Sequence, residues 1–346
     1  MRRWLVFLVL IGCLTAPESV ARRSPPRVVV MGLSADEVAA LRTAVPQVQL
    51  VPVADEEAAR GAIVDAEGFL GRPSPQLVAA GERLRWIQVY SAGVDRYRFA
   101  ALTQSEIVLT NAKIVQGPNV ADHAVALLLV LTRGLHVALR KHGAHDWRGT
   151  RRALREGPRR PIELSDKIAL VVGLGGIGSA IAERAAGFGM RVIATKRDIS
   201  GPRPPHVESI HRPSELHALL PQADVVFLAV PLTEQTRGLL GATELAVMKP
   251  DAFLINIARG PVIDTDALVA TLEGGRLAGV GLDVTDPEPL PPEHPLWTID
   301  RVVITPHMAG TSDRVWARKL ELLEDNLRRF ANDEPLRNVV DKAQGY

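Results

Sequence analysis

Hydrophobic positions along the chain alternate between short runs rich in β-branched residues and longer stretches with helical spacing. The first run is Val28-Val29-Val30, and Ser34 and Glu37 after it have the spacing of an N-terminal capping box. Strands that alternate with helices indicate parallel sheets with helices packed on them. The predicted strands cover residues 28–30, 48–53, 86–90, 107–110, 168–172, 191–194, 225–230, 253–257, 278–283 and 302–304.

These strands fall into two series, which predict two α/β domains of the doubly wound type. The first series ends near residue 112, and the second starts at Ile168. Residues 119–141 contain no proline and a single glycine, Gly134, so we expect one long helix that joins the domains. Residues 312–330 have an amphipathic pattern, which predicts a helix that packs back on the first domain.

Composition and charge narrow the class of ligand. Hydrophobic residues make up 47% of the 346 residues and charged residues 23%, which is typical of a folded globular protein. The formal net charge of +2 gives no global field that would draw the protein onto nucleic acid or an anionic membrane, so a small molecule is the expected ligand. The single cysteine, Cys13, excludes an intrachain disulfide and a cysteine-based zinc site, and no metal is predicted.

One stretch is locally basic. We interpret it as a solvated surface connection, with a phosphate or membrane-surface contact as the alternative. Its arginines are Arg148, Arg151, Arg152, Arg155, Arg159 and Arg160.

Residues 1–26 are predicted to be a leader and a linker. Arg2 and Arg3 precede an apolar run at residues 4–14, and Ser19-Val20-Ala21 offers small residues where a signal peptidase cleaves, so we predict a secretory signal peptide and export. The run is too short for a stable membrane span, which needs about 20 residues. Two alternatives stay open: lipidation at Cys13, or a spurious or uncleaved leader on a cytoplasmic protein.

A glycine-rich turn follows the first strand of the second series. Residues 168–172 run directly into Gly173-Leu174-Gly175-Gly176-Ile177-Gly178 and an alanine-rich helix, which is the G-x-G-x-x-G pattern between a strand and a helix. The first glycine permits a tight turn, the second lets the backbone approach a pyrophosphate, and the third allows the helix to pack closely on the strand. The helix N-terminus offers free N–H groups to the phosphates. We therefore predict a dinucleotide site that includes Gly173, Gly175, Gly176, Ile177 and Gly178.

The next strand bears on the choice of cofactor. It ends in Thr195-Lys196-Arg197, at a place where NAD sites commonly have a carboxylate for the ribose hydroxyls. The cations of Lys196 and Arg197 suit the 2′-phosphate of NADP, which is mildly favoured. NAD stays open, because Asp198 takes the place of that carboxylate if the strand ends two residues later.

Three later segments each place a polar side chain at the end of a predicted strand, where open α/β sheets bind ligands. Taken singly, Arg259, Glu288 and His307 are equally well explained as surface residues. Together they offer a fixed cation, a carboxylate and an acid–base group. The segments are Asn256-Ile257-Ala258-Arg259-Gly260, Asp283-Val284-Thr285-Asp286-Pro287-Glu288-Pro289 and Thr305-Pro306-His307-Met308-Ala309-Gly310.

In this order after the glycine turn, the segments resemble the D-isomer-specific 2-hydroxyacid dehydrogenase family, which includes phosphoglycerate dehydrogenases and glyoxylate and hydroxypyruvate reductases. The resemblance covers residues 86–346 and implies hydride transfer between NAD(P)H and a small 2-oxo or D-2-hydroxy acid. It includes the shorter motifs Ser91-Ala92-Gly93-Val94-Asp95, Ala121-Asp122-His123-Ala124, Val230-Pro231-Leu232-Thr233, Met248-Lys249-Pro250 and Gly345-Tyr346.

The chemistry of this reaction explains the residue types. Reduction of a 2-oxo acid needs a hydride at the carbonyl carbon, a proton at its oxygen and a cation for the carboxylate. Arg259 suits the cation because its guanidinium binds planar oxygens by paired hydrogen bonds and keeps its charge. His307 suits the acid because histidine exchanges protons near neutral pH, and Glu288 would favour its charged form and orient it. The resemblance implies these same three roles.

The resemblance also implies contacts for the ligands. The backbone amides of Ser91, Ala92 and Gly93 are expected to bind the substrate carboxylate, and Asp283 is expected near the nicotinamide amide. The other cofactor contacts that we expect are Val230, Pro231, Thr236 and Ala258.

The family architecture implies a flavodoxin-like substrate domain at residues 27–118 and 309–346, with a Rossmann nucleotide-binding domain inserted at residues 119–308. A hinge is expected near the helices at residues 119–141 and 312–330, and a homodimer through the cofactor domain. The alternative function is a nicotinamide-binding sensor or corepressor without significant turnover, since the family contains members that use the fold in this way.

Overall fold

The computed structural model describes residues 24–157 and 160–346. The predicted signal peptide, its cleavage site and Cys13 lie outside this part of the chain, as does Arg159. The described residues form two parallel sheets with helices packed on both faces, which confirms an α/β fold with two doubly wound domains.

The bounds of the regular elements follow in chain order. The strands are β1 Arg27–Met31, β2 Gln49–Val53, β3 Gly68–Leu70, β4 Trp86–Gln88, β5 Val108–Thr110, β6 Ile168–Val172, β7 Arg191–Thr195, β8 Ser209–His211, β9 Val225–Leu228, β10 Phe253–Asn256, β11 Gly279–Leu282 and β12 Val302–Ile304. The helices are α1 Ala35–Ala44, α2 Glu56–Ile63, α3 Pro75–Ala80, α4 Ala100–Thr103, α5 Gly117–Thr132, α6 Leu135–His142, α7 Trp147–Glu156, α8 Gly176–Gly187, α9 Leu216–Leu219, α10 Ala242–Val247, α11 Thr265–Glu273 and α12 Val315–Ala331.

The first sheet has the strand order β2-β1-β3-β4-β5, which is the flavodoxin-like order. The predicted capping box at the start of α1 is present, because Ser34 and Glu37 each accept a backbone N–H from the other. Helix α12 packs back on this domain as predicted. Its residues Leu323 and Phe330 are buried, and the Phe330 ring lies 4.9 Å from that of Trp86 in β4.

The second sheet has the order β12-β11-β10-β9-β6-β7-β8. Successive residues of β6 enter two different hydrophobic clusters: Leu170 and Val172 lie in one, and Ala169 and Val171 lie in the other. Successive side chains of a strand point to opposite faces, so both faces of this sheet are buried, as a parallel sheet requires. The strand order reverses between β6 and β9, which is where folds of this type bind nucleotides.

The prediction of one long helix over residues 119–141 was wrong. Helix α5 ends at Thr132 and α6 begins at Leu135, with a bend of 74° between them. Gly134 lies at the bend with φ +67°, a left-handed conformation that glycine adopts without steric cost. Helical spacing continues on both sides of this glycine, so the hydrophobic pattern alone gave no sign of the break.

Two short strands that were not predicted and the basic stretch also need correction. Strands β3 and β8 were missed, because each has only three residues and too little pattern to recognise. The basic stretch that was interpreted as a surface connection contains helix α7, whose first turn is capped by Asp146. Its arginines Arg151 and Arg152 are exposed, which agrees with the expectation of a solvated stretch.

Among the described residues, no single helix is long and apolar enough to cross a membrane. Helices α5 and α6 meet the length and hydropathy criteria only when they are joined across their bend.

Candidate active site

The side chains singled out from the sequence follow β10, β11 and β12, which are neighbours in the second sheet. Arg259 comes after β10, Glu288 lies in the loop after β11, and His307 comes after β12. All three strands are parallel, so their carboxyl ends meet at one edge of the sheet. The fold therefore brings the three residues to the same edge.

His307 and Glu288 form a hydrogen-bonded pair. The His307 Nδ1 atom lies 2.7 Å from Glu288 Oε1, and about two fifths of the histidine side chain is exposed. Nδ1 carries the proton in this arrangement, because the carboxylate accepts. The other ring nitrogen, Nε2, makes no hydrogen bond with the described part of the chain and is free to exchange a proton with a ligand.

Asp283 holds the loop that carries His307. Its Oδ1 accepts from the Thr305 hydroxyl at 2.6 Å and the Met308 N–H at 3.0 Å, and its Oδ2 accepts from the Ala309 N–H at 2.9 Å. Burial raises the pKa of the Asp283 carboxyl, but these hydrogen bonds and one from His123 lower that pKa below the ordinary value for aspartate. The side chain is thus a buried carboxylate that fixes the turn at His307.

The backbone at His307 has φ +50°, an unusual conformation for a residue with a side chain. The His307 N–H donates to the carbonyl oxygens of Asp283 at 2.9 Å and Thr305 at 3.0 Å. These bonds maintain the turn and direct the imidazole towards Glu288.

Arg259 reaches from the second domain to the first. Its Nε atom donates to Asp95 Oδ1 at 3.2 Å, and its Nη1 atom donates to the Ala258 carbonyl oxygen at 2.8 Å. The guanidinium lies so close to the Gly93 backbone that a methyl group on Gly93 would collide with it. A larger residue at the third position of the Ser91-Ala92-Gly93 motif would therefore displace the guanidinium.

The loop at residues 91–93 offers hydrogen-bond donors beside this guanidinium. Ser91 Oγ donates to the Gly93 carbonyl oxygen at 2.7 Å, and Asn111 Nδ2 donates to the Ala92 carbonyl oxygen at 2.7 Å, so the carbonyl groups are occupied within the loop. Within residues 24–157 and 160–346, the N–H groups of Ala92 and Gly93 have no partner. Free N–H groups next to a guanidinium form a binding site for a carboxylate.

The glycine turn has the shape that a pyrophosphate requires. Gly173 has φ +99°, and a methyl group on Gly178 would collide with the Gly173 carbonyl oxygen, so the turn and the packing of α8 both depend on glycine. Gly175 differs from these two. No atom lies within 4 Å of the position that its methyl group would take, and α8 begins at the next residue. This open space at a helix N-terminus fits the phosphates of a dinucleotide.

The remaining residues expected at the cofactor lie at the same edge of the sheet. Val230 and Pro231 follow β9, and the side chain of Val230 borders Gly173. The Thr236 hydroxyl donates to the Pro231 carbonyl oxygen at 2.6 Å, so Thr236 fixes the turn after β9. Ala258 follows β10 and is buried.

Lys196 and Arg197 follow β7, which ends at Thr195. Arg197 is exposed, and Lys196 is partly buried. Asp198 accepts from the N–H and the hydroxyl of Ser200, at 3.0 and 2.6 Å. These hydrogen bonds hold the pKa of the Asp198 carboxyl below its ordinary value. The Asp198 carboxylate, which was the alternative contact for the ribose of the cofactor, is therefore hydrogen-bonded within its own loop.

Sequence reasoning gave no role to several residues that build this site. His123 Nε2 lies 2.8 Å from the Thr305 hydroxyl and 3.3 Å from Asp283 Oδ1, so it connects α5 to the loop at His307. Asp122 accepts from Arg184 Nε at 2.6 Å and joins α5 to α8. His123 and Asp95 belong to motifs that carry the family resemblance, and that was the only signal available for them.

Among the residues that the structure describes, no group of three or more His, Cys, Asp or Glu side chains is arranged to hold a metal ion.

Comparisons with known proteins agree with this geometry. The family model "D-isomer specific 2-hydroxyacid dehydrogenase, NAD binding domain" matches residues 125–309. A glyoxylate reductase from Pyrococcus furiosus is 37% identical over 262 residues, which cover 75% of this chain and 76% of that protein. A glyoxylate reductase from Korarchaeum cryptofilum is 33% identical over 289 residues, which cover 81% and 80% of the two chains.

A solved structure extends the similarity to the whole described fold. The D-isomer specific 2-hydroxyacid dehydrogenase from Xanthobacter autotrophicus, in complex with NADPH and MES, matches with a TM-score of 0.79 and 28% sequence identity. The match covers 94% of this chain and 100% of that one. The chain belongs to the D-isomer-specific 2-hydroxyacid dehydrogenase family, and it is an oxidoreductase with a site for a nicotinamide cofactor.

Proposed function

We propose that this protein reduces a small 2-oxo acid of the glyoxylate or hydroxypyruvate type to the D-2-hydroxy acid, with NADPH preferred over NADH. One observation carries the proposal. The His307–Glu288 pair and the Arg259 guanidinium lie at one edge of the second sheet, and Arg259 lies against the free amides of residues 92–93.

The residues of the chain suit the steps of this reduction. Arg259 and the N–H groups of Ala92 and Gly93 bind the substrate carboxylate and hold the carbonyl group in place. His307 donates a proton from Nε2 to the carbonyl oxygen, and Glu288 stabilises the imidazolium before that transfer. When bound, the nicotinamide cofactor supplies the hydride for the carbonyl carbon. In the reverse direction, His307 takes the proton from the hydroxyl group.

The expected substrates are small. The glyoxylate reductases from Pyrococcus furiosus and Korarchaeum cryptofilum support a substrate of this size, because each is more than 30% identical over about three quarters or more of its length. For the cofactor, we expect the side chain of Asp283, at the carboxyl end of β11, to lie beside the amide group of the nicotinamide.

The preference for NADPH rests on the end of β7. Lys196 and Arg197 present two cations there, and the carboxylate of Asp198 is bonded to Ser200. A 2′-phosphate has two negative charges that these cations neutralise, whereas the ribose hydroxyls of NAD commonly bind a carboxylate. Replacement of Lys196 by Ala together with Arg197 by Asp should weaken NADPH more than NADH, and equal weakening would remove this argument.

The test of the activity is oxidation of NADPH and NADH by purified protein with glyoxylate, hydroxypyruvate and pyruvate in turn. We expect turnover, faster with NADPH, that is abolished in His307→Ala while the affinity for NADPH is retained. Unchanged turnover in His307→Ala would reject the proton donor. Binding of NADPH without turnover on any small 2-oxo acid would favour the sensor or corepressor function over the reductase.

We further propose a homodimer through the helices α6 and α7. Two of their side chains, Leu139 and Trp147, are 69% and 81% exposed. Large apolar side chains exposed on two helices that pack against each other are typical of a protein–protein interface, and a second copy of the chain would bury both.

A further inference from the structure

Residues 341–346 fold into a closed turn, here called the 341–346 turn. The Asp341 N–H donates to the backbone oxygen of Tyr346 at 3.0 Å, and the Gly345 N–H donates to the Asp341 carbonyl oxygen at 2.7 Å. Gly345 has φ +82° and packs on the side chain of Arg98, so the turn needs a glycine there. The turn thus has a defined shape that its own backbone hydrogen bonds maintain.

The substrate domain holds this turn in place. The Lys342 ammonium donates to three carbonyl oxygens around the end of α4, those of Leu102 at 3.1 Å, Ser105, and Ile107 at 2.9 Å. Just before the turn, the Val340 N–H donates to the Leu109 carbonyl oxygen of β5 at 2.8 Å. An ammonium has three donors, and all of them are used in this anchor.

The tip of the turn reaches the other domain at Arg197. The guanidinium carbon of Arg197 lies 3.8 Å from the centre of the Tyr346 ring, and Arg197 Nη1 donates to Gln344 Oε1. The Tyr346 hydroxyl donates to the same oxygen, and Gln344 Nε2 donates to Asp341 Oδ2. The Gln344 amide is therefore oriented with its oxygen towards the arginine.

These contacts leave part of the guanidinium available. The Tyr346 ring covers one face and Gln344 takes one N–H, whereas Nε and Nη2 make no hydrogen bond with the described residues. No carboxylate among those residues lies within ion-pair distance of Arg197, although its charge helps to lower the pKa of the nearby Asp341 carboxyl. The N–H groups of a guanidinium lie in its plane, so an arginine that is stacked on a ring still binds a phosphate at its edge.

We propose that the 341–346 turn is part of the cofactor site and that Gln344 and Tyr346 position Arg197 to bind the 2′-phosphate of NADP. The proposal rests on the proposed preference for NADPH and adds residues from the substrate domain to the recognition of the adenosine end. Stacking and the Gln344 bond restrict the rotamers of Arg197 before the cofactor binds, which reduces the entropy that binding loses. The discrimination between NADPH and NADH therefore depends on a segment outside the Rossmann domain.

The test uses two fragments that lack nicotinamide, adenosine 2′,5′-bisphosphate and adenosine 5′-monophosphate, titrated calorimetrically into the full chain. Replacement of both Gln344 and Tyr346 by alanine should weaken the bisphosphate about fivefold, since a cation–π contact and a hydrogen bond contribute on the order of 1 kcal/mol. The monophosphate should change less than about twofold, because it has no 2′-phosphate. Tyr346→Phe is the matched control: it retains the ring that stacks on Arg197 and should retain most of the affinity.

Each other outcome overturns the proposal. Tighter binding of both fragments would mean that the turn occupies the adenosine position and competes with the cofactor. Equal weakening of both, or no change in either, would leave the turn without a role in recognition of the 2′-phosphate. Thermal unfolding of each variant shows whether the fold is retained.

A further variant, Arg197→Ala, separates this proposal from the cofactor preference. If the wild type binds both fragments equally and Arg197→Ala changes neither affinity, the preference for NADPH fails, and the role of the turn fails with it. If Arg197→Ala weakens only the bisphosphate while the Gln344 and Tyr346 variants do not, the preference stands and only the role of the turn is wrong.

Discussion

Gly93 illustrates how a single hydrogen atom in place of a side chain determines the geometry of the site. Its backbone lies under the Arg259 guanidinium, which crosses from the other domain to Asp95. A methyl group at this position has no room unless the guanidinium moves. The arginine binds the substrate in the proposed reaction, so its displacement acts on catalysis more than on folding.

We therefore expect Gly93→Ala to lower kcat/KM for the 2-oxo acid by about 100-fold, the scale of effect that a displacement of about 1 Å has on a reacting group. The affinity for NADPH should stay within about twofold, because a methyl group at Gly93 would meet Arg259 and Asp95 and no residue of the proposed cofactor site. Steady-state kinetics and calorimetry measure the two effects. Gly61→Ala is the control, since no atom lies within 4 Å of the position that a methyl group would take there. Activity like that of the wild type in Gly93→Ala would contradict the close packing.

Asp283 links the same site to stability. Its carboxyl has a lowered pKa in the folded protein, so the folded state binds fewer protons than the unfolded state at acidic pH. The stabilisation is complete above the ordinary aspartate pKa of about 3.9, and it is lost as the pH falls through the lower pKa of the folded state.

Asp283→Asn should accordingly reduce the free energy of unfolding by about 2 kcal/mol at pH 7, because charge-assisted hydrogen bonds to Thr305, Met308 and Ala309 are lost. The difference from the wild type should shrink below about pH 4, where the wild-type carboxyl begins to take up its proton. Urea unfolding at both pH values measures this. Asp300→Asn, with a side chain that is 89% exposed, is the control and should have little effect; a difference that stays constant with pH would contradict the role of the charge.

At the scale of elements, the glycine turn and the start of α8 are the predicted site for the pyrophosphate. Gly175 has φ −92°, which alanine adopts readily, and a methyl group there would point into open space. The fold should therefore tolerate Gly175→Ala, while the same methyl group would occupy the volume that a pyrophosphate needs.

We expect Gly175→Ala to leave the melting temperature of the cofactor-free protein unchanged and to weaken NADPH at least about tenfold, a cost of about 1.4 kcal/mol. Gly187→Ala, at the other end of α8, also places a methyl group in open space and should change neither quantity. Calorimetric titration and thermal unfolding decide the question. Retained affinity in Gly175→Ala would mean that the dinucleotide does not pass over this turn.

The elements show which features a sequence pattern predicts well. Strands such as β6 and β12 were predicted with their observed bounds, because β-branched runs end at glycine, proline or charged residues. The break at Gly134 was not predictable from periodicity, since a glycine within a helix and a glycine at a bend have the same neighbours. The pairs Arg259–Asp95 and Arg197–Tyr346 join residues that are distant in the sequence, and no local pattern indicates such contacts.

The site was likewise predictable where it depends on local sequence patterns and not where it depends on contacts between distant residues. Arg259, Glu288 and His307 were singled out because each follows a recognisable strand and their segments together resemble the family. The parallel sheet brings them to one edge, and their roles stay a prediction. The support from Asp283 and His123 was not foreseen, because it arises from the tertiary arrangement of β11, β12 and α5.

At the scale of the whole molecule, two arginines of the second domain contact the first. Arg259 reaches Asp95 from the second domain, and Arg197 reaches Gln344 and Tyr346. Both of the arginines belong to proposed ligand sites, one for the substrate and one for the cofactor. Ligands that bind at these arginines therefore act on contacts between the domains, which couples binding to the relative position of the domains.

The proposed dimer is the last feature at this scale. Helix α6 follows the 74° bend at Gly134, and α7 packs against α6. Leu139 and Trp147 remain exposed there, although large apolar side chains gain free energy when they leave water, at about 25 cal/mol per Å². Helices α6 and α7 of a second copy would cover both side chains.

We expect the wild type to sediment as a dimer and the double variant Leu139→Ser, Trp147→Ala to sediment as a monomer at micromolar concentration, because its interface loses its two largest exposed apolar groups. Analytical ultracentrifugation over a range of concentrations measures the change. Phe188→Ser is the control, since its side chain is also exposed, at 44%, but follows α8 and belongs to neither α6 nor α7. A wild type that stays monomeric would reject the dimer, and a double variant that stays dimeric would place the contact elsewhere.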